Sequence, residues 1–254
     1  MIPLPALFDG AELTDTDKAS LARACELSPD NAEMFNQRGM IYWENKQIEK
    51  AKADFDRSLS LNADYLPALA ARAQLRLGSA DIRGAEADLD TAARVAPKQA
   101  DARFTLAELY GSADLLVPAV AQFDLWITSH PVDSKMVRAL NGRCWFRALL
   151  GRDLAEALAD CNHALSRSGK SGPMAAAILD SRGLVRLRLG DYDKSISDYD
   201  DSLKLSSNNG WALYGRGVAK LRKKRSTEGE ADIAAAEKVW PQGAEEFTRR
   251  GISP

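Results

Sequence analysis

The stretch LDSRGLVRLRLGDYDKSISDYDDSLKLSSNN, residues 179–209, decides the fold of this chain because variants of it recur along the sequence. Related segments begin at five other places: Phe35, Leu69, Arg103 (the faintest copy), Asn141 and Leu213. Self-similarity at a fixed interval is typical of proteins built from one small structural unit used repeatedly. The sequence therefore predicts an array of stacked units.

The repeats share a register of 34 residues. They start near residues 32, 66, 100, 137, 176 and 210, with two longer intervals around Pro131 and Pro173. The eighth residue of each repeat is small: Gly39, Ala73, Ala107, Cys144, Gly183 and Gly217. The twenty-fourth is bulky and mostly apolar: Phe55, Leu89, Phe123, Cys161, Tyr199 and Ile233, where the count in the fourth repeat passes over one extra residue between Gly151 and Ala157.

This alternation of small and large residues indicates packed helices. Small residues at fixed places let two helices approach closely, and large side chains fill the grooves beside them. Each repeat is predicted to be a helix-turn-helix whose apolar face is buried only when neighbouring repeats stack on it.

The pattern resembles the tetratricopeptide repeat family over about nine-tenths of the chain, in the bacterial form with Arg-Gly in the first helix and Asp-x-Asp in the second. The third repeat departs most, because Leu106-Ala107 replaces Arg-Gly. The resemblance implies an all-α fold, a right-handed α-solenoid of six stacked helix-turn-helix repeats.

The resemblance also implies three regions. Residues 1–31 form an N-terminal extension with a lone capping helix, or the remnant of a repeat, over residues 17–29. Residues 32–241 hold the six repeats, and residues 242–254 form a C-terminal capping helix that covers the last apolar face. The orphan N-terminal helix leaves two interpretations open, a cap or a chain cut from a longer protein.

Composition narrows the classes of partner. The net charge of −2 gives no support for a nucleic-acid or anionic-membrane partner, and no apolar run approaches the roughly 18 residues of a membrane helix. The chain is 45% hydrophobic and 28% charged, which predicts a soluble globular protein.

Residue types that carry catalysis or bind cofactors do not form a convincing set. The segment SGKSG, residues 168–172, lacks the earlier glycine and the preceding strand of a phosphate-binding loop, so we interpret it as a linker between repeats. The two histidines, His130 and His163, have no partners at metal-ligand spacing. We therefore expect no catalysis, no metal and no cofactor.

Five repeats combine an arginine at the seventh place with an aspartate at the twenty-third. These predicted structural ion pairs are Arg38 with Asp54, Arg72 with Asp88, Arg143 with Asp160, Arg182 with Asp198, and Arg216 with Asp232. The third repeat has lost both partners, with Leu106 and Gln122 at these places. Joint presence and joint loss indicate a clamp within a repeat or across to its neighbour, with a structural rather than a catalytic role.

In the family, the inner face of the first helices forms a concave groove that holds a protein or peptide. The resemblance implies that the corresponding positions bind the partner here: Asn36, Met40, Trp43, Gln74, Phe104, Thr105, Glu108, Asn141, Trp145, Asp180, Leu184, Trp211 and Tyr214. Trp43, Phe104, Trp211 and Tyr214 are the expected aromatic anchors. The alternative for Trp145 and Leu184 is packing against neighbouring helices. The Lys, Asn and Arg set of the family's carboxylate clamp is not in place, so an adaptor for chaperone tails is not expected.

The predicted function is therefore a non-catalytic scaffold that binds a protein or peptide partner in its groove. Two alternatives stay open. The chain is the partner-binding portion of a larger exported or enzymatic bacterial protein, in which case other domains of that parent are partners, or it is a structural module that associates with itself.

The cysteines bear on the compartment. Cys144 and Cys161 occupy the eighth and twenty-fourth places of one repeat, where two antiparallel helices come close enough for a disulfide. Two buried thiols are the alternative, and Cys25 is expected to stay free. The start MIPLPALFDG lacks a signal-peptide pattern, so the chain as printed is expected to be cytoplasmic. A bridge would instead indicate an exported parent protein whose signal lies upstream.

Overall fold

The computed structural model of the chain describes residue 23 and residues 27–253. This part of the chain is helical and contains no strand. Its helices are α1 (Ala32–Glu44), α2 (Ile48–Leu61), α3 (Leu66–Gly78), α4 (Ile82–Val95), α5 (Ala102–Ser112), α6 (Leu116–Ser129), α7 (Met136–Leu150), α8 (Leu154–Ser168), α9 (Gly172–Leu189), α10 (Tyr192–Leu205), α11 (Gly210–Arg222), α12 (Ser226–Val239) and α13 (Gly243–Arg249).

The chain divides into two compact units, one up to Ala96 and one from Pro97 onwards. The N-terminal unit holds the hairpins α1/α2 and α3/α4, and the C-terminal unit holds α5/α6, α7/α8, α9/α10 and α11/α12. Within each unit, the second helix of one hairpin packs on the first helix of the next, and the first helices also contact each other. Helix α13 packs on α11 and α12. Each unit thus has the nearest-neighbour contacts of an α-solenoid.

Every hairpin turns at the fifteenth place of its repeat, where the backbone is left-handed. The residues with this conformation are Lys46, Ala80, Asp114, Gly151, Gly190 and Lys224. The next residue donates its backbone N–H to a carbonyl five residues earlier, as Gln47 does to Tyr42 at 2.8 Å and Asp191 does to Arg186 at 3.0 Å. This bond satisfies a carbonyl at the end of the first helix.

Close helix contact explains the small residue at the eighth place. A Cβ atom on Gly39 would lie 2.7 Å from the ring of Phe55, which occupies the twenty-fourth place of the same repeat. In the last repeat, a Cβ on Gly217 would lie 2.9 Å from the backbone oxygen of Gly229. Both distances are well below a normal van der Waals contact, so a larger residue at either glycine would push the two helices apart.

The observed boundaries differ from the predicted register in one place. Five of the six repeats begin within two residues of the predicted starts, but α9 begins at Gly172, four residues before 176. Pro173 lies in the first turn of α9, where proline needs no hydrogen-bond donor and its fixed φ suits a helix. The longer interval predicted around Pro173 is therefore occupied in part by a longer helix, the 18 residues of α9. Most of the predicted N-terminal extension, including Cys25, lies outside the described residues.

Candidate functional site

The arginine at the seventh place of a repeat binds two repeats at once. Arg72 donates from Nε and Nη2 to Asp88 of its own hairpin at 2.9 and 2.7 Å, and from Nη1 to Asp56 of the preceding hairpin at 2.7 Å. Three further arginines repeat this fork: Arg143 with Asp160 and Asp124, Arg216 with Asp232 and Asp200, and Arg182 with Asp198 and Asn162. The two aspartates of the Asp-x-Asp motif thus serve different partners.

A second cation, four residues further along the first helix, binds the same buried aspartate. These cations are Arg76, Arg147, Arg186 and Lys220, at 2.6 to 2.8 Å from their aspartates. Burial by itself lowers the pKa of Arg143, but its hydrogen bonds to Asp160 and Asp124 raise that pKa above the usual value. The network is therefore charged and largely shielded from solvent, and its structural role stays a prediction.

The third repeat replaces the clamp with a different pair. Arg103 enters from the first turn of α5 and donates from Nη1 to the side-chain oxygen of Gln122 at 2.6 Å, in a buried position. The same guanidinium donates to the backbone oxygen of Pro97 at 3.1 Å. The third repeat lacks the usual arginine and aspartate, because Leu106 and Gln122 stand in their places. Arg103, three residues before Leu106, binds Gln122 instead.

Cys144 of α7 and Cys161 of α8 lie opposite each other in the core of one hairpin. Their Cα atoms are 5.7 Å apart, and their sulfur atoms lie at bonding distance. Both residues are fully buried. They occupy the places at which Gly39 meets Phe55 in the first repeat, so the close approach of the two helices also positions the two thiols.

We predict one free thiol in protein isolated from its native compartment and denatured without reductant. The bridge would close a loop of about 18 residues, which contributes about 3 kcal/mol to stability in the chain-entropy model. Thiol titration after denaturation measures this, and the same sample reduced first serves as the control with three thiols. Three free thiols before reduction would show that Cys144 and Cys161 are not bridged.

The structure separates the thirteen predicted partner-binding residues into exposed and covered ones. In the N-terminal unit, Met40 is buried in the hydrophobic core and Asn36 is also buried. Trp43 is partly exposed and its ring packs edge-on against Phe55, while Gln74 is partly exposed on α3. The prediction that Met40 faces a partner is therefore corrected, because its side chain fills the space between hairpins.

In the C-terminal unit, three of the predicted contact residues are covered by the chain itself. Phe104 is buried against the rings of Phe123 and Trp126, and Leu184 is fully buried in the core. Tyr214 is buried under Phe247 of α13, with ring centroids 4.6 Å apart. The structure therefore corrects the expectation that Phe104 and Tyr214 anchor a partner.

The C-terminal helix also covers Trp211. The Trp211 ring stacks on Trp240 at 4.7 Å and lies 5.0 Å from Phe247, while its edge meets Trp145 at 4.8 Å. The end of α13 is held in place by ion pairs from Arg249 and Arg250 to Asp114. Helix α13 thus covers part of Trp211, which stays partly exposed in an aromatic cluster with Trp145, Trp240 and Phe247. Contact of Trp211 with a partner stays a prediction.

Two other predicted residues, Thr105 and Glu108, lie on α5. Thr105 is half-buried, and Glu108 forms an ion pair with Arg138 of α7. Burial raises the pKa of Glu108 even though Arg138 opposes the shift. Glu108 is thus already engaged by its own chain.

The remaining predicted residues, Asn141, Trp145 and Asp180, line one cavity in the C-terminal unit. Its volume is about 410 Å³, and it lies between α7, α9 and the connection from α10 to α11. The other lining residues are Pro173, Ala176, Ala177, Ser181, Leu205, Ser206 and Asn209. This is a concave site with an apolar wall and a few polar groups, the usual form of a site for a side chain or small ligand.

Asp180 is the charged residue of this cavity. Its side chain is largely buried and accepts one hydrogen bond, from Nδ2 of Asn209 to Oδ2 at 2.9 Å. Burial raises the pKa of the carboxyl from 3.8 to about 7, although the bond from Asn209 lowers it. Asp180 is thus poised between its neutral and its charged form near neutral pH.

Asn209 was not predicted from the sequence as part of the site. Its Oδ1 accepts from the backbone N–H of Ala212 at 3.3 Å and caps α11. This cap fixes the side-chain amide so that its NH₂ group faces Asp180. The signal in the sequence was an asparagine directly before a helix, which predicts a cap but gives no indication that the other end of the amide binds a carboxylate.

Other kinds of site receive no support from the described part of the chain. Residues 27–253 contain no group of three or more His, Cys, Asp or Glu side chains that could hold a metal ion. None of the helices described is long and apolar enough to span a membrane.

Sequence comparison identifies two segments of the chain. A tetratricopeptide repeat model matches residues 32–65, in the N-terminal unit, and a second tetratricopeptide repeat model matches residues 181–244, in the C-terminal unit. No curated protein sequence matches the chain.

Several solved structures are similar to the chain in fold. One is a chain of the APC/C hetero-tetramer Cut9-Hcn1, at a TM-score of 0.58 and 18% identity, matched over 92% of this chain and 46% of that one. A tetratricopeptide repeat protein from Parabacteroides merdae has a TM-score of 0.60 at 18% identity, over 93% of this chain and 91% of that one. YrrB, described as a TPR protein with an unusual peptide-binding site, has a TM-score of 0.50 at 12% identity, over 92% of this chain and all of its own length.

The matched segments fall in both units, and both units are built from the same hairpin with the same turn and the same small-against-large packing. Residues 32–65 and 181–244 are therefore tetratricopeptide repeats, and the described chain has the fold of tetratricopeptide repeat proteins.

Proposed function

We propose that the chain is a non-catalytic interaction scaffold that binds an extended peptide segment of a partner protein, and that the cavity of Asn141, Trp145 and Asp180 receives one side chain of that peptide. The carrying observation is the cavity itself, where three predicted contact residues converge around a volume of about 410 Å³. The peptide-binding site named for YrrB, which is similar in fold, supports the same class of function.

The surroundings of the cavity support a peptide as the ligand. Trp145 is partly exposed, and Leu205 and Pro173 add apolar surface beside the polar groups of Asn141 and Asn209. An aromatic ring beside amide groups offers both apolar contact and hydrogen bonds, the combination typical of protein recognition sites. A net charge of −2 also favours a protein partner over nucleic acid.

Filling the cavity is the direct test of this proposal. Ala177 is exposed on α9 and lines the cavity, so Ala177→Leu should obstruct it without disturbing the core. Peptides selected from a displayed random library against the wild-type protein should bind Ala177→Leu at least about tenfold more weakly. Fluorescence anisotropy of the labelled peptides measures the change.

The matched control is Ala234→Leu. Ala234 is exposed on α12 of the same unit and is not among the residues that line the cavity. This variant should bind the selected peptides as the wild type does. Equal binding by Ala177→Leu and the wild type would place the peptide elsewhere, and a library that yields no binders would count against the scaffold function itself.

A further inference from the structure

We propose that the side chain received by this cavity is cationic, a lysine or arginine of the partner peptide, and that the carboxylate of Asp180 binds it. This inference rests on the proposed function and specifies the chemistry of its ligand. It is carried by the contrast between Asp180 and every other buried aspartate in the described residues.

Five of the six buried aspartates are paired with cations. Asp54, Asp88, Asp160, Asp198 and Asp232 each accept two hydrogen bonds from an arginine at the seventh place of the repeat. Asp180 is buried to a similar degree, yet its side chain accepts its hydrogen bond from the neutral amide of Asn209. Across residues 27–253, no lysine, arginine or histidine forms an ion pair with it. A buried carboxylate is normally paired, so the sixth one lacks the partner that the other five have.

The missing cation has a place to bind, because Asp180 lines a cavity. Asp180 is the one ionisable residue among those that line it, so nothing in the lining repels a positive charge. The Oδ1 atom of Asn141, a further lining residue, is buried without a hydrogen-bond partner among the described residues. A cation in the cavity would meet the carboxylate of Asp180, whereas a partner carboxylate would meet like charge there.

The shape of the cavity suits a long basic side chain. Trp145, Pro173 and Leu205 provide apolar surface for the methylene groups, and lysine and arginine commonly bury this stem while the charged end finds a polar partner. The Trp145 ring offers a further attraction, since cations bind favourably over indole faces. A volume of about 410 Å³ leaves room for such a side chain.

The test pairs a variant protein with a variant peptide. Peptides selected against the wild-type protein should share a lysine or arginine at one position, and replacing that residue by norleucine should weaken binding about 30-fold or more, as expected for a desolvated charge pair. Asp180→Asn keeps the size of the side chain and its bond to Asn209 but removes the charge. The variant should bind the lysine peptide as weakly as the wild type binds the norleucine peptide. Its affinities for the two peptides should be nearly equal.

The pH dependence of binding gives a second readout. The side chains around Asp180 carry no charge that would interfere with this test. Tyr199 of α10 and Asn209 face Asp180. Helix α7 contributes the uncharged Asn141 and Trp145, and no residue of α8 lines the cavity. Burial raises the pKa of Tyr199 well above its usual value, so Tyr199 stays neutral. Because the carboxyl of Asp180 has a pKa of about 7, the lysine peptide should bind about tenfold more weakly at pH 6 than at pH 8. The norleucine peptide should bind equally at both.

The outcomes separate this inference from the proposed function. The selected peptides could compete for the cavity and lose affinity with Ala177→Leu, yet share no basic residue. That result would overturn the inference but would still support peptide binding. Selection of acidic peptides, or an unchanged preference for lysine in Asp180→Asn, would also overturn it. Failure of any peptide to bind would instead count against the proposed function.

Discussion

The variant Asp180→Asn is expected to be more stable than the wild type at pH 8, by about 2 to 4 kcal/mol. The pKa of Asp180 rises from 3.8 to about 7 in the folded protein because burial disfavours the charged carboxylate. Each unit of that difference corresponds to about 1.4 kcal/mol. Above pH 7 the folded wild-type chain must keep an ionised carboxylate in a buried place, and the neutral amide of the variant removes that cost.

The same shift fixes the direction of the pH dependence. Between about pH 4 and pH 7 the folded chain binds the proton of Asp180 and the unfolded chain does not, so the contribution of this group to stability is present below that window and is lost as the pH rises through it. Urea unfolding of both proteins from pH 4.5 to pH 8 should show free energies of unfolding that differ little at the acid end and diverge towards pH 8.

The control for this experiment is Asp201→Asn. Asp201 lies on α10 and forms an exposed pair with Lys204 at 2.7 Å, so its replacement should change stability by less than about 1 kcal/mol at every pH. A wild type more stable than Asp180→Asn at pH 8 would mean that a cation already neutralises Asp180 in the free protein. That result would also remove the basis for a basic side chain in the cavity.

The variant Asp198→Ala is expected to lose about 3 to 5 kcal/mol of stability, as is typical when one partner of a buried ion pair is removed. Asp198 is almost fully buried and accepts hydrogen bonds from Nε and Nη2 of Arg182 at 3.0 and 2.7 Å and from Nη1 of Arg186 at 2.7 Å. Without it, two largely buried guanidinium groups lose their shared anion.

Denaturant unfolding monitored by circular dichroism measures this loss. The matched substitution is Asp201→Ala, three residues away on the same helix, where the exposed pair with Lys204 should contribute less than about 1 kcal/mol. Equal stability of Asp198→Ala and Asp201→Ala would show that the buried network around Asp198 stabilises its hairpin no more than an exposed ion pair does. A loss confined to Asp198→Ala would assign that role to the buried network.

These two aspartates, eighteen residues apart, show opposite uses of a buried charge. Asp198 is expected to stabilise the protein because two arginines of its own hairpin surround it. Asp180 is expected to lower stability near neutral pH because no cation of residues 27–253 pairs with it, which is the behaviour expected of a residue kept for binding rather than for folding. A basic side chain of the partner would neutralise Asp180 in the way that Arg182 and Arg186 neutralise Asp198.

The sequence alone was sufficient for the repeat, for most of its helix starts and for the arginine–aspartate pairs within five repeats, but not for the start of α9 or for the Arg103–Gln122 bond. Small residues such as Gly39 and Gly217 recur where two helices meet, and their spacing is a property of the chain that every hairpin shares. The arginine of each clamp was predictable for the same reason, since Arg72 and Asp88 occupy fixed places in a repeated geometry. That the arginine also binds the preceding repeat required the structure, because stacking sets the distance to Asp56.

The partner-binding residues were predicted less well, because exposure depends on what covers a face. Trp211 and Tyr214 lie at the expected places of the repeat, but α13 packs on them and Phe247 fills the space in front of their rings. The sequence predicted a C-terminal cap and could not indicate which aromatic residues it would cover. Only tertiary packing distinguishes an exposed indole from one already paired.

What the sequence determined by itself is the local and repeated part of this protein: helices, turns, the order of hairpins and the pairs that recur in each. The tertiary structure decided the features that do not recur from repeat to repeat, such as the cavity at Asp180. The cavity at Asp180 forms where α7, α9 and Asn209 come together, and Asn209 is brought there by a connection 29 residues further along the chain. A periodic pattern specifies contacts that repeat, whereas a single site depends on long-range packing and, at Asp180, on a carboxylate without the cation that the other five buried aspartates have.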